Sequence, residues 1–473
     1  MATVITSIGS KSEHTSPVNA QITVSGSSGS GTPWSGTVTY TGSDPTVSVG
    51  DILHYKDVYY NCDGYSSCAD GPLEVDYLIT AINTSTNTLT VRHIRGGTAD
   101  SVDPFANLDS DEVGTTAQPY IVRCFSTVAL WEADLDTDVF YDSDDIAKGE
   151  MYPDSTFSTN FGQVGGGSTV GLLCKVLTAA EDHRHDGAES GSHVKVTQTS
   201  KITHAGAPLI MSWLDISGSD TDNQFIDGFD FAVTHCIIHD VTMSGYGGGW
   251  PGSRCVTTGI ICNNIIYNID STTYSSSGTG YYTYLYGIWQ RGTHFLCDNN
   301  TVYKVHSTNS WGGGQFAKGI VKDQSSGTAG SSVRNNIVVG TATDTEGTNG
   351  ANAKDFNDPT ATFTNNISSD DTADGSNSIT GESAADLFVS NSGGSEDLHL
   401  KAGAAAIGAG ADLGTTYSTT AGDANIEAGW DMGPQFDIDN RDRDAEEDTW
   451  DIGADQFVAS AATGSPAFWL FFD

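Results

Sequence analysis

The Asn-Asn pair that opens NNIIYNI (263–269) recurs three more times in the centre of the chain. Each later pair also precedes a short run of mostly strand-forming residues: NNTVYKV (299–305), NNIVVG (335–340) and NNISSD (365–370). HCIIHDV (235–241) fits the same frame, so successive copies begin 28, 36, 36 and 30 residues apart. A repeat of variable length is typical of a solenoid, in which each coil keeps its strands and turns while its loops differ.

Asparagine suits the turns of such a solenoid because it tolerates the left-handed backbone conformation that a sharp turn requires. We expect Asn263, Asn299 and Asn335 to occupy equivalent turns of successive coils, about 5 Å apart, and to hydrogen-bond as a ladder. The Ile and Val residues behind each pair are expected to point inward. We therefore predict that three of these residues are buried in the stacked fold: Ile265, Val302 and Ile337.

Composition favours an all-β protein that works outside the cell. The 473 residues include 55 Gly, and 60 acidic residues stand against 20 basic ones, which gives a formal net charge of −40. Glycine together with Asn, Asp, Ser and Thr is typical of strands joined by tight turns. A surface so negative repels phosphate groups, so we expect no nucleic-acid partner.

The N-terminal sequence and the length of the apolar runs determine the expected localisation. The start, MATVITSIGSKSEHTS, has no basic stretch followed by an apolar one, and no run reaches the roughly 18 apolar residues of a membrane span. We therefore expect synthesis in a host cytoplasm without a signal peptide, and no membrane insertion.

The eight cysteines form no CxxC pair, so zinc is not expected. Most are expected to be buried thiols, and a Cys62–Cys68 disulfide remains open.

Four regions are predicted along the chain. Residues 1–115 form a small N-terminal β domain, with a hairpin over YLITAINTSTNTLTVRHI (77–94). Residues 116–168 hold a short helix in FSTVALWEADL (125–135), which Ser126 or Thr127 could cap and which we expect to cover the end of the next domain. Residues 169–457 form the β-helix, and 458–473 form an apolar C-terminal tail.

The repeat resembles the right-handed parallel β-helix superfamily, the pectate-lyase-like fold of polysaccharide lyases, glycosidases and phage tailspikes. DLHLKAGAAAIGAGADLG (397–414) and WDIGADQF (450–457) resemble the closing coils of bacterial and phage members. RHDGAESGSHVKVT (184–197) and the STVALWEADL segment are similar to uncharacterised structural proteins of marine tailed phages. The β-helix resemblance covers roughly 170–457 and implies an all-β right-handed parallel solenoid with a small N-terminal β domain and a short tail.

The resemblance implies a structural protein on a phage virion surface, as capsid decoration, tail fibre or tailspike, with contact to host-surface glycans as a second role. The alternative is a polysaccharide lyase or glycoside hydrolase on the same fold. A hydrolase needs two facing carboxylates and a lyase needs a basic residue. Aspartate is so abundant here that pairs arise by chance, so we predict no catalytic residue and no cofactor. The residues weighed for these roles are Asp227, Asp230, Asp240, Asp298, Asp323, Lys318, Lys322 and Arg291.

Two histidine pairs were weighed as metal ligands. His183 and His185 form an HxH motif, and His235 and His239 lie four residues apart, so on a strand each pair faces one way. The sequence shows no third ligand beside either pair. We therefore expect no metal site.

Aromatic residues are the better binding candidates. YYTYLYGIWQRG (281–292) places alternate tyrosines on one strand face, and two tryptophans lie in glycine-rich loops. Sugar rings stack on exposed aromatic faces, while core or subunit packing is the alternative. The predicted glycan-binding residues are Trp250, Tyr282, Tyr284, Tyr286, Trp289 and Trp311.

The tail GSPAFWLFFD (464–473) ends in an unbroken apolar row. Exposed rows of this kind usually mark contacts, so we expect the tail to dock on a neighbouring subunit or another virion protein. A homotrimer is the first expectation for the oligomer, and a tail that folds back over the open end of the β-helix is the alternative. The predicted contact residues are Phe468, Trp469, Leu470, Phe471 and Phe472.

Overall fold

Three long parallel sheets run side by side through the central region and form a parallel β-helix, which confirms the predicted all-β fold class. The chain passes repeatedly from sheet 3 to sheet 1, turns sharply, and continues into sheet 2; one such passage is a coil. The structure, a computed structural model, describes residues 2–9, 23–30, 35–41, 47–58, 73–95, 120–137, 140–154, 156–158, 160–221, 224–228, 230–244, 253–271, 283–290, 296–307, 315–322, 332–342, 352–357, 363–416, 433–446 and 449–459.

The three sheets share one register, since each strand pairs in parallel with its counterpart in the neighbouring coil. Sheet 1 contains β1 (Thr3–Ile8), β8 (Ile146–Met151), β10 (Cys174–Ala179), β13 (Leu209–Ser212), β16 (Phe231–Thr234), β19 (Ile260–Cys262), β22 (Leu296–Asp298), β25 (Ser332–Arg334) and β28 (Phe363–Thr364). Sheet 2 contains β11 (Lys195–Gln198), β14 (Asp215–Asp220), β17 (Ile237–Met243), β20 (Ile265–Ser271), β23 (Thr301–Ser307), β26 (Ile337–Val339) and β29 (Ile367–Ser368). Sheet 3 contains β9 (Gln163–Val164), β12 (Ile202–His204), β15 (Gln224–Asp227), β18 (Ser253–Thr257), β21 (Thr283–Gln290), β24 (Gln315–Lys322) and β27 (Ala353–Asn357).

The remaining described elements lie before and after these sheets. An antiparallel N-terminal sheet contains β2 (Thr23–Ser30), β3 (Ser35–Thr41), β4 (Ile52–Val58), β5 (Leu73–Asn83), β6 (Thr88–Arg95) and β7 (Tyr120–Val122). Further along are α1 (Val128–Asp134), a 3₁₀ turn (Glu181–His183), α2 (Ala384–Leu387), β30 (Phe388–Ser390), β31 (Asp397–Leu400) and α3 (Arg443–Glu446). None of the helices in the described ranges has the length and apolarity to span a bilayer.

The predicted asparagine ladder is confirmed at the turn between sheets 1 and 2. The first asparagine of each pair is in the left-handed region, with φ of 56°, 57° and 55° at Asn263, Asn299 and Asn335. Asn335 donates to Oδ1 of Asn299 at 3.0 Å, so neighbouring turns bond directly. The second asparagines form a longer inner ladder, in which Asn264 donates to Asn300 and Asn300 to the next coil, both at 3.0 Å. Each coil is thereby locked to the next through buried polar groups.

The residues behind the ladder divide between two layers. Val302 lies in the main core cluster, as predicted, and is fully buried. Ile265 and Ile337 are also buried, but they belong to a second cluster on the outer side of sheet 2, so the prediction that they point inward is wrong. Because residues alternate between the two faces of a strand, Ile266 and Val338 occupy the interior positions instead.

The outer side of sheet 2 is covered by what we call the C-terminal layer, the described residues between 384 and 457. Gly453 lies directly against Ile337, where an added Cβ would come within 2.7 Å of that side chain. The layer also bonds to successive ladder turns: Asn299 donates to the Pro434 carbonyl at 3.2 Å and Asn335 to the Ala411 carbonyl at 2.8 Å. Sheet 2 is therefore buried on both sides.

Strand β1 (Thr3–Ile8) belongs to the solenoid. Strand β1 pairs in parallel with β8, so sheet 1 includes a strand that precedes the antiparallel sheet. The domain boundaries at residues 115 and 169 stay a prediction. Helix α1 then follows the antiparallel sheet, and Thr127 caps it by accepting from the backbone N–H of Leu130 at 3.2 Å. Trp131 is fully buried in the main core, whereas Leu130 is half exposed.

Candidate functional site

A row of cationic and aromatic residues crosses the outer side of sheet 3. The parallel register aligns Gln224, Arg254, Tyr286, Lys318 and Lys354 on five successive strands. Neighbouring strands lie about 4.8 Å apart, so the row extends for roughly 20 Å. Three of its five members are basic, in a chain where acidic residues outnumber basic ones by 60 to 20.

Aromatic rings pack between these basic residues. Tyr284 stacks on Phe316 with ring centroids 4.6 Å apart and an interplanar angle of 16°. Tyr286 lies between Tyr284 and Trp289, at 6.1 and 6.0 Å. The guanidinium carbon of Arg254 is 3.0 Å from the Trp289 ring centroid, in cation–π contact. We call these residues together with Lys318 and Lys354 the aromatic–cationic face.

The sequence of β21 explains why the rings share one side. Leu285 and Ile288 are fully buried in the main core, while Tyr286 and Trp289 belong to a separate cluster outside it. Gly287 lies on the interior side, where a Cβ would come within 2.8 Å of the Gly319 carbonyl oxygen. Tyr284 and Tyr286 therefore share one face, as the sequence predicted, and this face is the outer one. Two successive interior residues, Gly287 and Ile288, bring Trp289 to the same side.

Access differs across the face. Tyr286 and Trp289 are only 4% and 6% exposed, so their rings support the face from within. Tyr284, Phe316 and Lys318 are half buried, and Lys354 is exposed. A ligand can therefore reach one stacked aromatic pair and two ammonium groups. This combination suits a polymer that has both apolar ring faces and negative charges.

The other predicted contact residues cannot be compared with this geometry. Trp250, Tyr282, Trp311 and the tail residues Phe468 to Phe472 lie outside the described residues, as do Arg291, Asp323, Cys62 and Cys68. Glycan contact by Tyr284, Tyr286 and Trp289 stays a prediction.

Two of the carboxylates weighed for catalysis, Asp298 and Asp240, bond to neighbouring side chains. Asp227 is half buried and Asp230 is exposed. Asp298 is 1% exposed and accepts from Arg334 at 2.6 Å, and its oxygens also accept from Ser332 at 3.1 Å. Asp240 is exposed and bonds to His239 and Asn268. A buried carboxylate that is fully paired positions the turn around it and has no free oxygen for a substrate proton.

A different polar cluster was missed by the sequence analysis. We call it the Asp215 network: the buried carboxylate of Asp215 accepts from Nε2 of both His193 and His239 at 2.7 Å. Burial raises the pKa of Asp215, but the two hydrogen bonds outweigh it and hold this pKa well below its usual range. For His239 burial lowers the pKa, and the hydrogen bond and charge of Asp215 reverse this, so the pKa of His239 is raised.

The Asp215 network is closed on its remaining side. His239 stacks on Tyr267 with ring centroids 5.2 Å apart, and its Nδ1 lies 3.1 Å from Asp240. Both ring nitrogens of His239 are therefore occupied, which leaves neither for proton transfer to a substrate. His193, Asp215 and His239 are separated by 22 and 24 residues, about the length of one coil. Only a knowledge of that coil length could have predicted from the sequence that they are in contact.

The two predicted histidine pairs do not form sites. His183 belongs to the 3₁₀ turn and is half buried, whereas His185 is buried against Trp213, with ring centroids 5.7 Å apart. His235 occupies a ladder turn with φ of 52°, and His239 contacts Asp215 instead. Neither pair brings two nitrogens to a common point.

Comparison of the chain with protein-family models, with curated proteins and with solved structures found no significant match.

Proposed function

We propose that this protein is a structural component of a phage virion surface, and that its aromatic–cationic face contacts an anionic glycan of the host surface. The observation that carries the glycan contact is the pair of accessible ammonium groups of Lys318 and Lys354 beside stacked rings, in line with the buried guanidinium of Arg254, in a chain with a net charge of −40. A polyanion is repelled by most of such a surface, so it can settle only where positive charge is concentrated.

The solenoid supports the structural part of the proposal. Its ladder and its two-sided burial of sheet 2 give a rigid body in which coil after coil is fixed by buried hydrogen bonds. Rigidity of this kind suits a protein that projects from a particle and must survive outside a cell. The resemblance of residues 184–197 and 126–135 to marine phage structural proteins points to the same setting.

The particle origin is tested by purification. Virions should be separated from the lysate on a density gradient and their proteins identified by mass spectrometry, with gold-labelled antibody to locate this chain on the particle. We expect the protein to co-purify with intact particles and to be labelled on their surface. Recovery only in the soluble lysate contradicts a virion component.

The glycan contact is tested by removing the accessible charges. Lys318→Ala combined with Lys354→Ala should weaken binding to immobilised polygalacturonate or a sulfated galactan about tenfold, since two exposed ion pairs contribute roughly 0.7 kcal/mol each. Binding by the unaltered protein should also fall as salt is raised. Lys401→Ala, in the C-terminal layer, is the matched control and should bind normally. Equal loss in the control, or no binding by the unaltered protein, removes the glycan contact from the proposal.

The second candidate is a polysaccharide lyase. Lys322 ends strand β24 and is only 3% exposed, and burial lowers its pKa, as a general base requires. A lyase would release unsaturated sugars from polyuronates, which absorb in the ultraviolet. Release that is abolished by Lys322→Met would favour this candidate over simple binding.

A further inference from the structure

A second polar cluster joins the C-terminal layer to the solenoid through His399. Ligand-type atoms of His399, Asp439 and Asp455 all lie within 4.8 Å of one another. His399 belongs to β31, whereas the two aspartates come from segments 40 and 56 residues further along. This separation is why the sequence analysis, which considered only closely spaced histidines, expected no metal site.

Oxygen atoms surround Nε2 of His399. Oδ1 of Asp439 and the backbone carbonyl oxygen of Asp186 are each 2.9 Å from this nitrogen. Ligands at right angles around an ion about 2.1 Å away lie about 3 Å apart, so both separations fit neighbouring positions of one coordination sphere. On the other side of the ring, Nδ1 contacts Oδ1 of Asp397 at 2.5 Å. A carboxylate behind a histidine ring is the usual way of orienting a metal ligand.

Asp455 provides an independent indication of a ligand. Its side chain is buried, with 3% exposure of the residue, and its Oδ2 accepts from the backbone N–H of Leu400 at 2.7 Å. Its Oδ1 is buried and has no hydrogen-bond partner among the described residues. A buried carboxylate oxygen without a partner is costly, and a cation beside it would offset that cost.

Negatively charged side chains outnumber positively charged ones in this cluster. The carboxylates of Asp397, Asp437, Asp439 and Asp455 outnumber the guanidinium groups of Arg441 and Arg443 by two. Arg441 pairs with Asp439, while Arg443 donates mainly to backbone carbonyls.

A glycine keeps the approach to these atoms open. Gly187 has φ of +80°, and a Cβ added there would lie 2.5 Å from Nε2 of His399 and 2.9 Å from Oδ1 of Asp439. Any side chain at this position would occupy the space beside both ligand atoms.

We infer that the protein binds one divalent transition-metal ion at this cluster, through Nε2 of His399, Oδ1 of Asp439, a carboxylate oxygen of Asp455 and the carbonyl oxygen of Asp186. Asp397 accepts the Nδ1 proton and orients the ring. Mixed imidazole and oxygen ligation suits zinc or manganese better than calcium. The ion would join the segment at 186, strand β31 and the C-terminal layer, so its role is structural.

A similar group, Glu189, His239 and Asp240, does not carry the same inference. Its ligand-type atoms also lie within 4.8 Å of one another. However, no oxygen of this group is buried without a partner among the described residues. Glu189→Gln therefore serves as a matched control.

The test is metal binding by the full chain, prepared without a histidine tag and stripped with chelator. Zn²⁺ and Mn²⁺ are titrated by calorimetry, with bound metal counted by mass spectrometry and melting temperature recorded with and without each ion. We expect one equivalent per chain and a higher melting temperature. Asp455→Asn, which keeps an acceptor for Leu400, should bind at least 100-fold more weakly, and Glu189→Gln should bind normally.

Asp397→Asn covers the case in which Asp455→Asn fails to fold, as judged by circular dichroism. Its carboxylate is 38% exposed, so the substitution is mild, and it should weaken binding 10- to 100-fold. Absence of stoichiometric binding by the unaltered chain overturns the inference. So does equal weakening in Glu189→Gln, or undiminished affinity in both aspartate variants.

Discussion

At the scale of single residues, the asparagine pairs do two separate jobs. Asn299 and its equivalents adopt the left-handed turn, while Asn300 and its equivalents bond along the solenoid axis. The sequence predicted both the turn and the ladder, because Asn is one of few residues that suit the first and its amide can both donate and accept in the second. The sequence could not show which asparagine of a pair adopts the turn and which bonds along the axis, since both positions are Asn.

Loss of one rung should be costly. Asn300→Ala removes the partner of Asn264, of the Ile261 carbonyl at 2.8 Å and of Asn336, all in buried positions. We expect a loss of at least about 3 kcal/mol in the free energy of unfolding, because several buried polar groups would lack partners. Denaturant titration measures this. The control is Asn377→Ala, at an exposed left-handed position, which should lose about 1 kcal/mol. Similar losses in both variants would mean that the ladder adds nothing beyond the turn.

At the scale of elements, sheet 2 differs from sheet 3 because the C-terminal layer covers it. This explains why the predicted inward direction of Ile265 and Ile337 was wrong. In NNIIYNI both faces of the strand carry apolar residues, so the sequence pattern does not distinguish the inner face from the outer one. A parallel strand buried on both faces reads as a continuous apolar run. In β21, by contrast, the tyrosines alternate with Leu285 and Gly287, and the sequence predicted that they share one face.

The contact between sheet 2 and the C-terminal layer can be weakened at one residue. Ile337→Ala should lower the free energy of unfolding by roughly 2–5 kcal/mol, as expected for truncation of a fully buried side chain. Hydrogen exchange should rise around Gly453, which packs on this side chain. Val389→Ala, at a site 57% exposed, is the control and should change stability by less than about 0.5 kcal/mol. An unchanged melting temperature for Ile337→Ala would contradict a packed layer.

At the scale of the whole molecule, long-range contacts decide what the sequence could not reveal. Strand β1 joins β8 across 143 residues, and His399 reaches Asp186 across 213. Periodicity identifies neighbouring coils because their spacing repeats, but these contacts occur once and leave no period. The fold class was therefore predictable, whereas the C-terminal layer and the polar clusters beneath it were not.

Acid should destabilise the whole fold through His235. Burial lowers the pKa of this residue to about 3, and Arg184, His185 and Arg443 also disfavour its charge. A histidine with a lowered pKa in the folded state contributes stability that is fully present above its unfolded-state pKa of about 6.5 and is lost as pH falls from there toward the folded-state pKa of about 3. Between pH 7 and 4.5 we expect a loss of roughly 2 kcal/mol from this group.

The substitution His235→Asn isolates that contribution. Asparagine stands at the equivalent turn in the later coils, so the variant should fold, and its φ of 52° suits asparagine. Unfolding free energies at pH 7 and 4.5 should differ less in the variant than in the unaltered protein. An identical pH dependence in the two would show that His235 is not buried uncharged.

The bonds from the C-terminal layer to successive ladder turns make the length of this solenoid a fixed quantity. Coils that are so alike could in principle be added or deleted, each changing the rod by about 4.8 Å. The layer, however, meets His235, Asn299, Asn335 and Asn365 through Phe436, Pro434, Ala411 and Ala409. One extra coil would shift part of these contacts by a full step. The C-terminal layer thus fixes the number of coils that it can cover. Evolution can lengthen the loops between coils far more easily than it can change the number of coils.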